Sequence, residues 1–213
     1  MSWSGAKEHG NIVNVLVLFA HPLADSYGRA ICDQVMTSLE VDGHEVRSHD
    51  LWQENFDPVL SAGEKREHFA APETKTANDS LLATHVADLW WCEAIVFVYP
   101  SWWSAPPAIM KGWFDRVLMQ GVAWTFPEGA TRLHAGLTHV RRLIAVTTYG
   151  SSRWVNALEG EPGKAAIRRG LRVLCNVRCR STWIAHYGVD RASRETCSHF
   201  LAKLPRRLHR ALR

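Results

Sequence analysis

The order of apolar and polar positions predicts an alternation of buried strands and one-sided helices. Ile12 to Ala20 is almost unbroken aliphatic sequence, too short for a helix and typical of a strand covered on both faces. Ser26 to Val41 then spaces Tyr27, Ala30, Ile31, Val35 and Leu39 for a helix with Asp25 or Ser26 as its cap, and Asp42-Gly43 ends it. His44 to Asp50 gives a short strand, and its brief return from a helix makes a parallel, right-handed unit. Leu51 to Ser80, with Pro58 and Pro72, predicts an irregular surface excursion with a helical turn near Glu64 to Phe69. Leu81 to Trp91 is the next helix, and Ala94 to Tyr99 repeats the buried-strand pattern.

Pro107 stands at the first position of a further helix running from Ala108 to Met119. After a long polar connection, Leu143 to Thr148 predicts a fourth strand and Gly150 to Pro162 a loop. Lys164 to Leu174 follows as a helix, Thr182 to Tyr187 as a fifth strand, and Ala192 to Leu212 as an amphipathic helix with Leu201, Leu204 and Leu208 inward. This pattern is that of an α/β fold with a doubly wound, five-stranded parallel sheet in a single domain covering residues 1–213.

Composition narrows the function. The 213 residues are 46% hydrophobic and 22% charged, which places the chain among globular proteins rather than disordered ones. A net charge of +4 favours phosphorylated ligands but is no nucleic-acid footprint. No apolar run reaches the roughly 18 residues of a membrane span, and Met1 to Asn11 lacks the pattern of an export signal. The five cysteines are scattered, without a C-x-x-C pair, so neither a disulfide framework nor a zinc site is expected. Cys175 and Cys179 are given packing roles, His134 and His139 exposed loop positions, and the protein a reducing, cytoplasmic setting.

In an open parallel sheet, ligands bind beyond the carboxyl ends of the strands. Three loops therefore carry the candidate chemistry. The first holds His21, Ser26 and a helix N-terminus suited to a phosphate, without a P-loop or G-x-G-x-x-G pattern. The second, Tyr99 to Pro107, sets Trp102 and Trp103 among prolines; these rings suit a flat ligand, or packing in a core or dimer interface. The third, Thr147-Thr148-Tyr149-Gly150-Ser151-Ser152, offers hydroxyls to a polar ligand chain. A nucleophile elbow, an H-E-x-x-H helix and clustered carboxylates are all absent from the sequence, which leaves hydrolases and metalloenzymes without an anchor, and no metal ligands are assigned.

Ala20-His21-Pro22, Ser26 and above all the run from Tyr99-Pro100 to Arg116-Val117 resemble the NAD(P)H:quinone oxidoreductase family. The specific part is Pro107-Ala108-Ile109-Met110-Lys111-Gly112-Trp113-Phe114-Asp115-Arg116-Val117, within a likeness spanning Asn14 to Tyr187. The resemblance implies a flavodoxin-like fold and a homodimeric flavoprotein that takes hydride from NAD(P)H and passes it to a quinone in two separate steps. It implies that His21, Ser26 and the backbone of Tyr27 and Gly28 hold the flavin phosphate. Pro100, Ser101, Trp102, Trp103, Ser104, Thr147, Thr148, Tyr149 and Gly150 would hold the rest, and Asp115 a structural place.

The departures are informative. Pro162 stands where relatives carry a catalytic histidine, with Trp154 or Val155 near their tyrosine and Tyr149 at a usual glycine. The family's proton relay is therefore in doubt, and Tyr149 and Trp154 are the remaining catalytic candidates. The excursion from Pro58 to Leu81 is shorter than in relatives that grip FAD, which favours FMN while leaving FAD open. A regulatory subunit of a potassium-efflux system and a one-electron carrier are the alternative readings. The basic C-terminal stretch, Lys203 to Arg213, is expected to be a solvated helix face.

Overall fold

The computed structural model describes residues 12–213; the polar stretch before Ile12 lies outside them. Five parallel strands form one sheet: β1 (Asn14–Phe19), β2 (Glu45–Asp50), β3 (Ala94–Ser101), β6 (Arg142–Tyr149) and β7 (Arg180–Tyr187). Their order is β2-β1-β3-β6-β7. Because side chains alternate across a strand, each central strand feeds two cores. Leu16 and Leu18 of β1 pack with Leu89 and Trp113 on one face, while Val15, Val17 and Phe19 pack with Ile31, Val35 and Leu208 on the other. Each such buried side chain contributes roughly 1.5–3 kcal/mol, so the unbroken apolar runs pin the strands to the middle of the molecule.

Helix α1 (Tyr27–Val41) and α8 (Arg194–Leu212) cover one face together. Ser26 caps α1, its hydroxyl accepting from the Arg29 N–H at 3.1 Å. The opposite face is covered by α4 (Ser80–Trp91), α5 (Ala108–Val117) and the helical segment after residue 161. Within the excursion between β2 and α4 lie two short helices, α2 (Ala62–Arg66) and α3 (Pro72–Thr76). Arg116 of α5 ties this excursion down, donating to Glu64 Oε1 (2.7 Å), Asp79 Oδ2 (2.8 Å) and the Asp57 carbonyl (2.7 Å). Gly112 lets it lie close: a Cβ there would stand 2.3 Å from Pro58 Cα.

Four expectations are corrected. The long connection before β6 contains a two-stranded antiparallel ribbon, β4 (Trp124–Thr125) and β5 (His134–Ala135). The supposed loop from Gly150 to Pro162 contains α6 (Arg153–Leu158). The helix expected from Lys164 begins at Pro162 and changes type along its length: α7 (Pro162–Ala165), then a π-helical turn at Ala166–Leu171 and a 3₁₀ turn at Arg172–Leu174. Pro107 is the cap of α5 rather than its first residue. No helix among the described residues is long and apolar enough to cross a membrane.

Candidate functional site

Strand order reverses between β1 and β3, and a cleft of about 520 Å³ opens beyond their carboxyl ends. Its first wall comes from the loop after β1. The His21 ring accepts the Leu23 N–H at Nδ1 (3.1 Å), which leaves Nε2–H as the donor of the neutral ring. Burial, with Arg29 nearby, lowers the His21 pKa and favours that neutral form. Arg29 N–H is taken by the Ser26 hydroxyl and Ala30 N–H by the Ser26 carbonyl, so the unpaired N–H groups of the first turn are those of Tyr27 and Gly28, both at the cleft. The Tyr27 hydroxyl lies 2.9 Å from His186 Nδ1 and so ties α1 to β7. Ser26 acts as cap and does not line the cleft.

The second wall is Pro100 to Trp103. Trp102 and Ala105 exchange both backbone hydrogen bonds (3.0 and 3.1 Å) around a two-residue turn. Trp103 and Ser104 both have positive φ, 50° and 59°, the conformation that normally selects Asn-Gly. Trp102 meets the His21 ring edge-on at 6.2 Å, while Trp103 is fully exposed at the cleft mouth. Ser104 turns outward to the Glu159 carboxylate, and its carbonyl accepts the Gly163 N–H at 3.1 Å.

The third wall is Thr148 and Gly150. Thr147 is buried beneath it, its hydroxyl 3.0 Å from that of Ser101. Tyr149 does not face the cleft: it is 2% exposed and stacks flat on Tyr187, centroids 4.8 Å apart, and burial raises its pKa. Trp154 lies on α6, 82% exposed and away from the cleft lining. Sequence reasoning missed Val189, Asp190 and Cys197, which line the cleft from the segment after β7. That segment carries no motif, and only the fold brings it over Gly150.

The family model for the flavodoxin-like fold matches residues 13–199. The chain belongs to this family. A Haemophilus influenzae protein named uncharacterized NAD(P)H oxidoreductase is 32% identical over 145 residues, 66% of each chain. NAD(P)H dehydrogenase (quinone) 1 of Rattus norvegicus is 34% identical over 161 residues, 70% of this chain and 57% of that one. The matched region thus spans less than two thirds of either relative. Among solved structures of similar fold, NAD(P)H:quinone oxidoreductase from Methanothermobacter marburgensis aligns over 92% of this chain and 95% of its own, with a TM-score of 0.74 at 22% identity.

A second polar cluster lies outside the cleft, around the end of β2. His49 places Nδ1 2.8 Å from Glu54 Oε1 and Nε2 2.9 Å from Asp88 Oδ2, and Arg47 also binds Asp88 at 2.7 Å. His85 Nε2 stands 3.3 Å from Glu54 Oε2, though poorly aligned for a hydrogen bond. His49, Glu54 and His85 have the spacing of a metal triad, but the proton inventory opposes one. Trp113 Nε1–H donates to His85 Nδ1 at 3.1 Å, so a neutral His85 carries its proton on Nε2 and offers Glu54 an N–H, not a lone pair. Burial raises the Glu54 carboxyl pKa, but the hydrogen bond with His49 and the electrostatic influence of His49 and His85 together outweigh it and bring the value down to about 2. The cluster is a proton-filled clamp between β2 and α4.

Proposed function

We propose that this chain is a flavin-dependent NAD(P)H oxidoreductase that reduces quinones or similarly flat electrophiles, the nicotinamide leaving before the acceptor enters the same cleft. The observation that carries this reading is the convergence of unpaired helix N–H groups with an aromatic turn in one cleft of cofactor size. The residues fit a flavin. Tyr27 and Gly28 N–H groups and His21 Nε2–H suit its phosphate, Trp102 and Trp103 its ring, and the Thr148 hydroxyl the chain between. The bound flavin supplies two-electron chemistry, accepting hydride from a nicotinamide and yielding it to the acceptor. The protein's part is to hold these groups in place, with the Tyr149–Tyr187 stack packed behind the third wall.

FMN is the flavin proposed, because no residue of the excursion between β2 and α4 lines the cleft to grip an adenine half. A homodimer is proposed as well. Trp103, Trp154 and Leu158 are 100%, 82% and 89% exposed on segments joined through Ser104 and Glu159, an apolar surface suited to a second copy. Sedimentation at micromolar concentration should give twice the chain mass, and Leu158→Glu should shift it toward the monomer.

The test of function is an anaerobic spectrum before and after adding NADPH or NADH. A flavin spectrum that bleaches and recovers with quinone supports the reductase. Retained flavin that neither nicotinamide bleaches favours the regulator or carrier, and failure to hold flavin at all overturns the reading.

A further inference from the structure

A second hollow, of about 370 Å³, lies behind the Trp102–Ala105 turn and is lined by Gly160, Glu161, Lys164, Ala165, Arg168 and Arg169. The segment that carries it is tied to the turn beside the cleft: Gly163 N–H and the Glu159 carboxylate both bind Ser104, next to Trp102 and Trp103 of the cleft lining. Three of its residues are cations. Lys164 is paired with Glu161 at 2.5 Å, whereas neither Arg168 nor Arg169 makes an ion pair among the described residues. The Glu161 carboxylate is already engaged by Lys164 and by the Tyr187 hydroxyl (2.6 Å), so its charge is largely answered within the hollow.

The backbone explains why both arginines reach it. On an α-helix, residue i+5 points about 140° away from residue i. Ala166–Leu171 is π-helical, and in that form each N–H reaches five residues back, which sets residues four and five apart on one face. Lys164 stands in the α-helical turn just before this segment, and Arg168 and Arg169, four and five residues on, both line the hollow with it. Isolated π turns of this kind are frequent at functional sites. The result is a cationic seat with two unpaired guanidinium forks, the geometry that suits a phosphate.

We propose that this hollow receives the 2′-phosphate of NADPH, making Arg168 and Arg169 the residues that favour NADPH over NADH. The inference rests on the reductase reading above. NADPH differs from NADH only by that phosphate, a charge of about −1.5 to −2, so a specificity device need contact nothing else.

The experiment has two arms. In the first, kcat/KM is measured with NADPH and NADH for the flavin-loaded protein and for Arg168→Ala, Arg169→Ala and the double variant. Both side chains are exposed, so the variants should fold. The expected result is a wild-type preference for NADPH and a fall in its kcat/KM of about 10- to 100-fold in the double variant, carried by KM, with NADH far less affected. Equal use of both nicotinamides by the wild type, or parallel losses for both in the variants, would overturn the inference while leaving the reductase reading intact. In the second arm, calorimetry follows adenosine 2′-phosphate binding to flavin-free protein. Binding that the double variant loses supports the hollow even if neither nicotinamide bleaches the flavin, which would sink the reductase reading alone. No binding to the wild type sinks the hollow.

Discussion

Gly150 and Asp190 meet so closely that the glycine has no room for a side chain. A Cβ at Gly150 would lie 2.3 Å from Asp190 Oδ2, so even alanine must displace the Asp190 carboxylate, which stands at the cleft. Gly150→Ala should therefore weaken flavin retention about 10- to 100-fold, read by fluorescence titration of flavin into stripped protein. Thermal stability should move much less, since Asp190 is exposed. At this scale the sequence was a fair guide to most residues of the three loops, Ser26, Ser104 and Thr147 aside. His21, Tyr27, Gly28, Pro100 to Trp103, Thr148 and Gly150 do share a cleft. It misled for Tyr149, because the direction a side chain takes at a strand end depends on packing partners such as Tyr187, 38 positions away in the sequence, and for Trp154, which helix α6 turns out to solvent. Asp190 and Cys197 were illegible for the complementary reason: their chemistry is ordinary until the fold places it.

At the scale of elements, the most distinctive stretch of sequence turns out to build the scaffold. Gly112 admits Pro58, Trp113 is fully buried against His85, and Arg116 anchors the excursion. Gly112→Ala should cost at least about 1–3 kcal/mol by overpacking, seen as a lower urea midpoint in stripped protein. The clamp between β2 and α4 predicts an acid-sensitive stability. Burial holds the His85 pKa below 6.5, so its contribution is complete above that value and is lost as the pH falls through the lowered folded value. Glu54 falls from 4.5 to about 2, so its contribution is complete above 4.5 and is lost on further acidification. The urea midpoint should thus decline steadily from pH 6.5 downward, and Glu54→Gln should be less stable at neutral pH with a flatter decline below 4.5. The central strands β1, β3 and β6 were legible to within two residues because a doubly buried strand must be apolar almost throughout, and the edge strands β2 and β7 followed from their place between helices. Helix α6 was not, since Trp154, Val155 and Leu158 all face outward and give it no buried stripe. The ribbon of β4 and β5 is too short to show an alternation.

For the molecule as a whole, the two cores on either face of the sheet make the scaffold rigid and leave the ligand chemistry to loops. The turn at Trp103 and Ser104 shows what such a division entails. Both residues hold a backbone form that costs a non-glycine residue about 1–2 kcal/mol, and Trp103 gains no burial within the chain in return. Selection for stability alone would have placed a glycine there. Trp103→Gly should accordingly raise the stability of stripped protein by roughly 0.5–1 kcal/mol, once glycine's greater freedom in the unfolded chain is discounted, and at the same time loosen its hold on flavin. A melt and a titration on the same variant would separate the two effects. If they move in opposite directions, this tryptophan is a place where evolution has kept usefulness at the expense of durability, and a stabilised version of the protein should leave it untouched.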